Sequence, residues 1–361
     1  METGYPSVML ELAARHLGAA ADEVTITPLT GDVSTRVYLR AAAAGRTLII
    51  CLYGEPFDES ERAIDRLAKL EAANPSARLS YHSNALAHIE ATRLFSDAGL
   101  PVPRILATAG ADALMLFEDV GDMRLQDWIA NRQPAEVRDA YLRATELIVE
   151  IQNATKLALE AGSICSHMAF DEAKLRWELG FFFANFINRY LKLKLDPETA
   201  GAVQADFKAL CGELAARPRV LVHRDYHARN LMMKDERMFI IDHQDARMGP
   251  ASYDVASLIS DPYATLDAGL MDELVERFIE WKAVSRQPLD EVAAFRCELQ
   301  LMTVQRMLKA IGTYASQAAL GNMTYVPYIG PARDRALAAM QALDRFAATR
   351  ALLEEAGGSR Q

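Results

Sequence analysis

Residues 221–246, LVHRDYHARNLMMKDERMFIIDHQDA, contain two short apolar runs, each followed by a cluster of polar side chains. Apolar runs of this length, bounded by turn-forming residues, read as buried strands. Asp225 and Asn230 lie in the loop after the first run, and Asp242 closes the second. A hairpin between the two runs would bring all three to one edge. That grouping suits phosphoryl transfer, which needs a carboxylate to orient and deprotonate a hydroxyl, and oxygen ligands for magnesium on the nucleotide phosphates. Asp225 is the candidate base, and Asn230 and Asp242 are the candidate metal ligands. As ordinary strand-end turn residues they would need no function, but their joint spacing favours the chemical reading.

The rest of the chain bounds that reading. At 361 residues, 51% hydrophobic and 24% charged, it is long enough for two lobes. A net charge of −10 repels polyanions, so nucleic acid and anionic membrane are not expected partners, and no obligate protein partner is evident. The four cysteines, Cys51, Cys165, Cys211 and Cys297, form no C-x-x-C pair and suggest neither a zinc ribbon nor a disulfide framework. With no run of 18 apolar residues and no secretory pattern, a cytoplasmic location is expected.

Periodicity divides the chain near FEDVGD, residues 117–122, into an N-terminal lobe, 1–120, and a C-terminal lobe, 121–361. Residues 1–20 have helical spacing, and 24–53 alternate as three strands of an antiparallel sheet. A helix is expected from 84 to Gly99 and a strand at 113–122. Beyond it helices are expected at 124–132, 135–160, 171–193, 197–216 and from 251 onward, interrupted once by the strands of the opening stretch.

The order H-x-D-x-x-x-x-N, a short hairpin, then Asp at the end of an apolar strand is the catalytic-loop logic of protein-kinase-like folds. HRDYHARNLM, IIDHQDARMGPASYDVASLISDPY, VQRMLKAIGTYA and the N-terminal GDVSTRVYLR together resemble the aminoglycoside phosphotransferase-like superfamily. Within it they are most similar to the anomeric N-acetylmuramate/N-acetylglucosamine kinases of cell-wall recycling. The resemblance implies an α+β, two-lobed kinase-like fold, with a small antiparallel-sheet N-lobe and a larger, mainly helical C-lobe. It also implies ATP and Mg2+ as cofactors, and a small-molecule sugar acceptor phosphorylated at C1. It assigns Glu118, Asp119 and Val120 to an adenine-binding hinge, and Gly31, Asp32 and Ser34 to a phosphate loop. Asp254 would brace the catalytic loop, as would His223. The third strand, RTLIICLY, lacks the lysine that usually pairs with a helix glutamate, here Glu90. Arg36 and Arg40 are the available substitutes.

Other residues are open to two readings. Glu178 stands alone among aromatic residues and would face the sugar or solvent. Arg306 and Lys309 share a helix face and would bind the sugar or its lactyl carboxylate, or remain solvated. His227, Arg229, Gln244 and Asp245 are expected on the acceptor side. His223, His227 and His243 invite a zinc site, but HRDYH lacks the glutamate of the H-E-x-x-H motif. An aminoglycoside, choline or another sugar is the alternative acceptor. An inactive nucleotide-binding regulator is the alternative from another class, supported by the missing lysine alone.

Overall fold

The computed structural model describes residues 6–29, 36–79 and 84–358. Gly31, Asp32 and Ser34, expected in the phosphate loop, lie outside the described residues.

Five strands form an antiparallel sheet in the order β1-β2-β3-β5-β4: β1 Thr25–Pro28, β2 Val37–Ala43, β3 Arg46–Leu52, β4 Ile105–Ala109 and β5 Leu114–Glu118. The turn between β2 and β3 is Ala44-Gly45, both with positive φ, at 51° and 72°. This is the backbone twist that two-residue hairpins favour. It sets the register Val37↔Leu52, which turns Leu39 and Ala41 inward beside Leu48 and Ile50. Helix α1, Ser7–Leu17, covers that face with Met9, Ala13 and Leu17.

Helix α2 spans Ala63–Ala73 and α3 spans Ala85–Asp97. Asn84 caps α3 by accepting the Ala87 N–H at 3.0 Å, a contact of the kind worth about 1 kcal/mol. Both helices precede the hinge in sequence, yet Ala63, Leu67, Leu94 and Phe95 join the large C-terminal core.

The remainder is mainly helical: α4 Leu125–Ile129, α5 Pro134–Asn153, α6 Thr155–Glu160, α7 Ile164–His167, α8 Glu172–Phe182, α9 Pro197–Ala215, α10 Tyr253–Ile259, α11 Ala268–Ala283, α12 Val292–Ala319, α13 Ile329–Leu343 and α14 Ala347–Gly358. The expected single helix at 135–160 is divided at Ala154, and α8 continues as a wider π-helical segment over Phe183–Tyr190.

The hairpin differs from the expected one. The runs at 219–222 and 237–240 do not pair with each other. Instead β6, Arg219–Val222, pairs with β9, Arg247–Pro250, and β7, Leu231–Lys234, pairs with β8, Arg237–Ile240. One ladder is nested inside the other. The inner turn, Asp235-Glu236, has two consecutive positive φ angles and closes β7 directly onto β8. The nesting still gathers the loop after β6 and the residues after β8 at one edge. Strands β4, β7 and β9 and helix α2 were not expected, because each is short or interrupted by charged residues.

Helices α12 and α8 cross where Gly312 offers no side chain. A Cβ built there would lie 2.7 Å from the Phe182 Cα, a backbone atom with no rotamer to move away. Gly312→Ala is therefore expected to lower stability by about 1–3 kcal/mol through overpacking, although alanine is the better helix former. A lower midpoint in a denaturant titration checks this; an unchanged or higher midpoint contradicts the packing account.

Candidate active site

The loop between β6 and β7 carries the polar cluster, and its backbone is held from below. Asp254, at the start of α10 and fully buried, accepts the N–H of His223 at 2.7 Å and of Arg224 at 3.1 Å. Arg224 needs that support, since its φ of 87° costs a non-glycine residue about 1–3 kcal/mol. His223, also fully buried, places Nε2 3.0 Å from the Ile241 carbonyl and links this loop to the segment after β8.

Asp225 follows this strained turn with its side chain one-fifth exposed. Its Oδ1 lies 3.1 Å from Lys309 Nζ and 3.5 Å from Arg306 Nη2, both on α12, and its Oδ2 lies 3.4 Å from Arg224 Nη1. Burial alone would raise the carboxyl, but the charges of Lys309, Arg224 and Arg306 overcome it and hold the pKa well below the usual carboxylate range. Arg306 is fixed in turn by the Tyr253 hydroxyl at 2.7 Å. Lys309 and Arg306, read from sequence as acceptor contacts, thus bear directly on Asp225.

Asn230 donates from Nδ2 to the Asp225 carbonyl at 2.8 Å, so its amide oxygen is left as the acceptor. Asp242 takes left-handed backbone angles, a region that Asp tolerates better than most residues, and its carboxylate is 40% exposed. Its Oδ1 accepts Gln244 Nε2 at 2.6 Å and lies 3.3 Å from Arg36 Nη2. Asn230 and Asp242 therefore offer hard oxygen donors, the chemistry that suits a magnesium ion carrying nucleotide phosphates.

The two arginines near the missing strand lysine separate. Arg36 reaches Asp242. Arg40 binds the hinge, with Nε 2.7 Å from Asp119 and Nη2 2.8 Å from Asp122. The hinge is also tied to the β7–β8 hairpin, because Lys234 Nζ donates to the Asp119 carbonyl at 2.7 Å. Glu118 pairs with Arg104, while Val120 packs on Met232 and Phe239 as an apolar patch between hinge and hairpin.

Glu90 departs from its expected ion pair, and three of the expected acceptor-side residues have partners within the protein. Glu90 forms no ion pair among the described residues; its oxygens accept the N–H of Ala63 and Ile164, tying α2 and α7 to α3. Glu178 is buried between helices, where it accepts Gln305 Nε2 at 2.8 Å and lies 3.7 Å from Lys174. Gln244 is buried and orients Asp242. Asp245 is held by Arg224 at 2.9 Å and Arg247 at 3.5 Å. The three histidines also diverge: His243 bonds Thr92 at 2.8 Å, His223 bonds Ile241, and His227 packs against Tyr263.

Beside Asp225 opens a pocket of about 230 Å³, lined among others by His227, Arg229, Asn230, Asp242, Arg306 and Lys309. Tyr263, Tyr314, Tyr325 and Asp261 also line it, and the sequence reading missed all four. The tyrosines come from three separate segments, so no local spacing announced them. Asp261 lies at the foot of the pocket, accepting the N–H of Ala228 and Tyr263; burial pushes its carboxyl up to about 6. Burial likewise pushes His227 down to about 3, leaving it neutral at pH 7.

The chain is similar to several known proteins. The profile described as "Phosphotransferase enzyme family" matches residues 25–292. The N-acetylmuramate/N-acetylglucosamine kinase of Pseudomonas aeruginosa is 29% identical over 80% of this chain and 76% of its own length. The protein of the same name from Pseudomonas putida is 26% identical over 81% of this chain and 76% of its own. The crystal structure of choline kinase LicA from Streptococcus pneumoniae superposes with a TM-score of 0.58 at 13% identity, covering 92% of this chain and 98% of that one. That likeness fixes the two-lobed, kinase-like fold and nothing finer.

Lys309 is the nearest cation to Asp225 and the largest charge effect holding its carboxyl down. Lys309→Met is expected to let that pKa rise. If turnover needs the ionised carboxylate, the acidic limb of the kcat/KM profile then moves to higher pH, together with a loss of about tenfold or more at neutral pH. An acidic limb at the same pH in both proteins contradicts the electrostatic coupling.

Proposed function

The chain belongs to the phosphotransferase enzyme family, and from that membership we propose that it is an ATP-dependent kinase of an amino sugar, phosphorylating the anomeric C1 hydroxyl of N-acetylmuramate or N-acetylglucosamine. The observation that carries this reading is the pair of cations, Arg306 and Lys309, that stand against Asp225 in the pocket. A cationic acceptor such as choline or an aminoglycoside would bring like charge beside that pair, and a neutral sugar does not. The names of the relatives support that choice.

The basicity of Asp225 supports the anomeric position. A carboxylate held among three cations is a weak base, suited to a hydroxyl that is already acidic. A hemiacetal hydroxyl is more acidic than an ordinary alcohol. In the proposed step Asp225 orients that hydroxyl, and its oxygen bonds to the γ-phosphorus as the bond to the β–γ bridging oxygen breaks. ADP leaves with that oxygen, and the hydroxyl proton passes to Asp225 late in the transfer. Asn230 and Asp242 would hold magnesium, which when bound neutralises the nucleotide phosphates. Arg36 lies against Asp242 on the same side and adds positive charge there. Glu118 to Val120 would line the adenine side, with Val120 anchored on Met232 and Phe239.

The test is an assay of both sugars and their 1-O-methyl glycosides. The free sugars should give an acid-labile product that no longer reduces alkaline copper, and the glycosides should give none. Asp225→Asn should lower kcat by about a hundredfold to ten-thousandfold and leave ATP affinity within about threefold. Transfer to a methyl glycoside, or phosphorus NMR placing the phosphate on another hydroxyl, overturns the anomeric assignment.

A further inference from the structure

Two buried carboxylates flank helix α10, and they hold opposite ends of the catalytic loop. At the start of α10, Asp254 accepts the N–H of His223 on Oδ2 and of Arg224 on Oδ1. Just past its end, Asp261 accepts the N–H of Ala228 on Oδ2 at 2.9 Å and of Tyr263 on Oδ1 at 2.8 Å. The residues between these anchors, 225–227, include Asp225, and the 3-10 turn that begins at Ala228 ends at Asn230. Tyr226 adds a third anchor, donating from its hydroxyl to the Ala144 carbonyl of α5 at 2.8 Å.

Asp261 is itself held in place. The Tyr263 N–H, two residues along the chain, occupies Oδ1 and leaves Oδ2 to Ala228. Arg335 of α13 donates to the carbonyls of Asp261 and Ala264, which fixes the segment that carries the carboxylate. Ala228 is the first residue of its turn, and the opening N–H groups of a helical turn have no partner within it. Asp261 therefore caps that turn from 33 positions further along the chain. An asparagine there would keep the shape but offer only one accepting oxygen. One of the two N–H groups would then face the amide nitrogen, leaving buried donors against each other.

We propose that Asp261 is a positioning residue for phosphoryl transfer: by holding Ala228 it fixes the chain path from Asp225 to Asn230, as Asp254 does at the other end. This rests on the kinase reading of that loop and not on the identity of the acceptor. A shift of about 1 Å in a reacting group costs about a hundredfold in rate, so the effect falls on kcat.

The experiment is a double-mutant cycle of Asp261→Asn with Ala228→Pro, assayed with a sugar that the unmodified enzyme phosphorylates, well above pH 6 so that Asp261 is ionised. Proline has no N–H, and the backbone suits it. Position 228 opens the turn, and His227 before it is extended, with φ −142° and ψ 170°. Asp261→Asn alone should lower kcat by about tenfold to a hundredfold and leave the KM for ATP within about threefold. In the Ala228→Pro background the same change should cost less than about twofold, because asparagine then has only the Tyr263 N–H to accept. Equal losses in the two backgrounds overturn the inference, as does an unchanged kcat in Asp261→Asn. Amide hydrogen exchange on the unmodified protein needs no variant to fold: the Ala228 N–H should exchange as slowly as the amides inside α10, and exchange at the rate of an open loop overturns the clamp. Absence of transfer to every acceptor tried overturns the kinase reading, while the exchange rate at Ala228 still tests the clamp by itself.

Discussion

The ion cluster on Asp225 is the constraint from which the rest of the site follows. One carboxylate meets Lys309 and Arg306 from α12 and Arg224 from its own loop. Partly buried ion pairs of this kind repay their desolvation only when geometry is well held. Much of the surrounding architecture supplies that geometry. Asp254 pins the strained turn at Arg224, Tyr253 fixes Arg306, and the bare backbone of Gly312 lets α12 approach α8 one turn beyond Lys309.

The same economy of contacts joins the lobes. Asp242 is reached by Arg36 from the N-terminal lobe, and the hinge is clamped by Arg40 on one side and Lys234 on the other. Helix α3 packs into the C-terminal core and sends Thr92 to His243, beside Asp242. The lobe that would hold nucleotide is thus coupled through named polar contacts to the residues that would meet its phosphates.

Motif spacing made the grouping of Asp225, Asn230 and Asp242 legible, because they owe their proximity to a short, local chain path. The sheet was legible for a similar reason: alternating residues and an Ala-Gly turn determine β2 and β3. The strand pairing was not, since nesting of β7–β8 within β6–β9 depends on which edges meet in three dimensions. Glu90 and Glu178 misled because a carboxylate at a suggestive helical position can as well cap backbone N–H groups or satisfy a buried amide. The cluster of pocket tyrosines was invisible for the converse reason. Tyr263, Tyr314, Tyr325 and Tyr328 are distributed over more than sixty positions and converge only when α12 folds back over the loop.

The site is a carboxylate held among cations, in a pocket lined by both carboxylates and cations, on a fold shared with a choline kinase. That likeness shows the fold alone, so the choice of acceptor rests on the ion cluster at Asp225 and on the named relatives. The most direct test is the initial rate of ADP release from ATP with N-acetylmuramate, N-acetylglucosamine, choline and an aminoglycoside, each assayed alone at equal concentration. The account predicts release with the two sugars and none above the acceptor-free rate with the two cations. Faster release with choline or the aminoglycoside would contradict it.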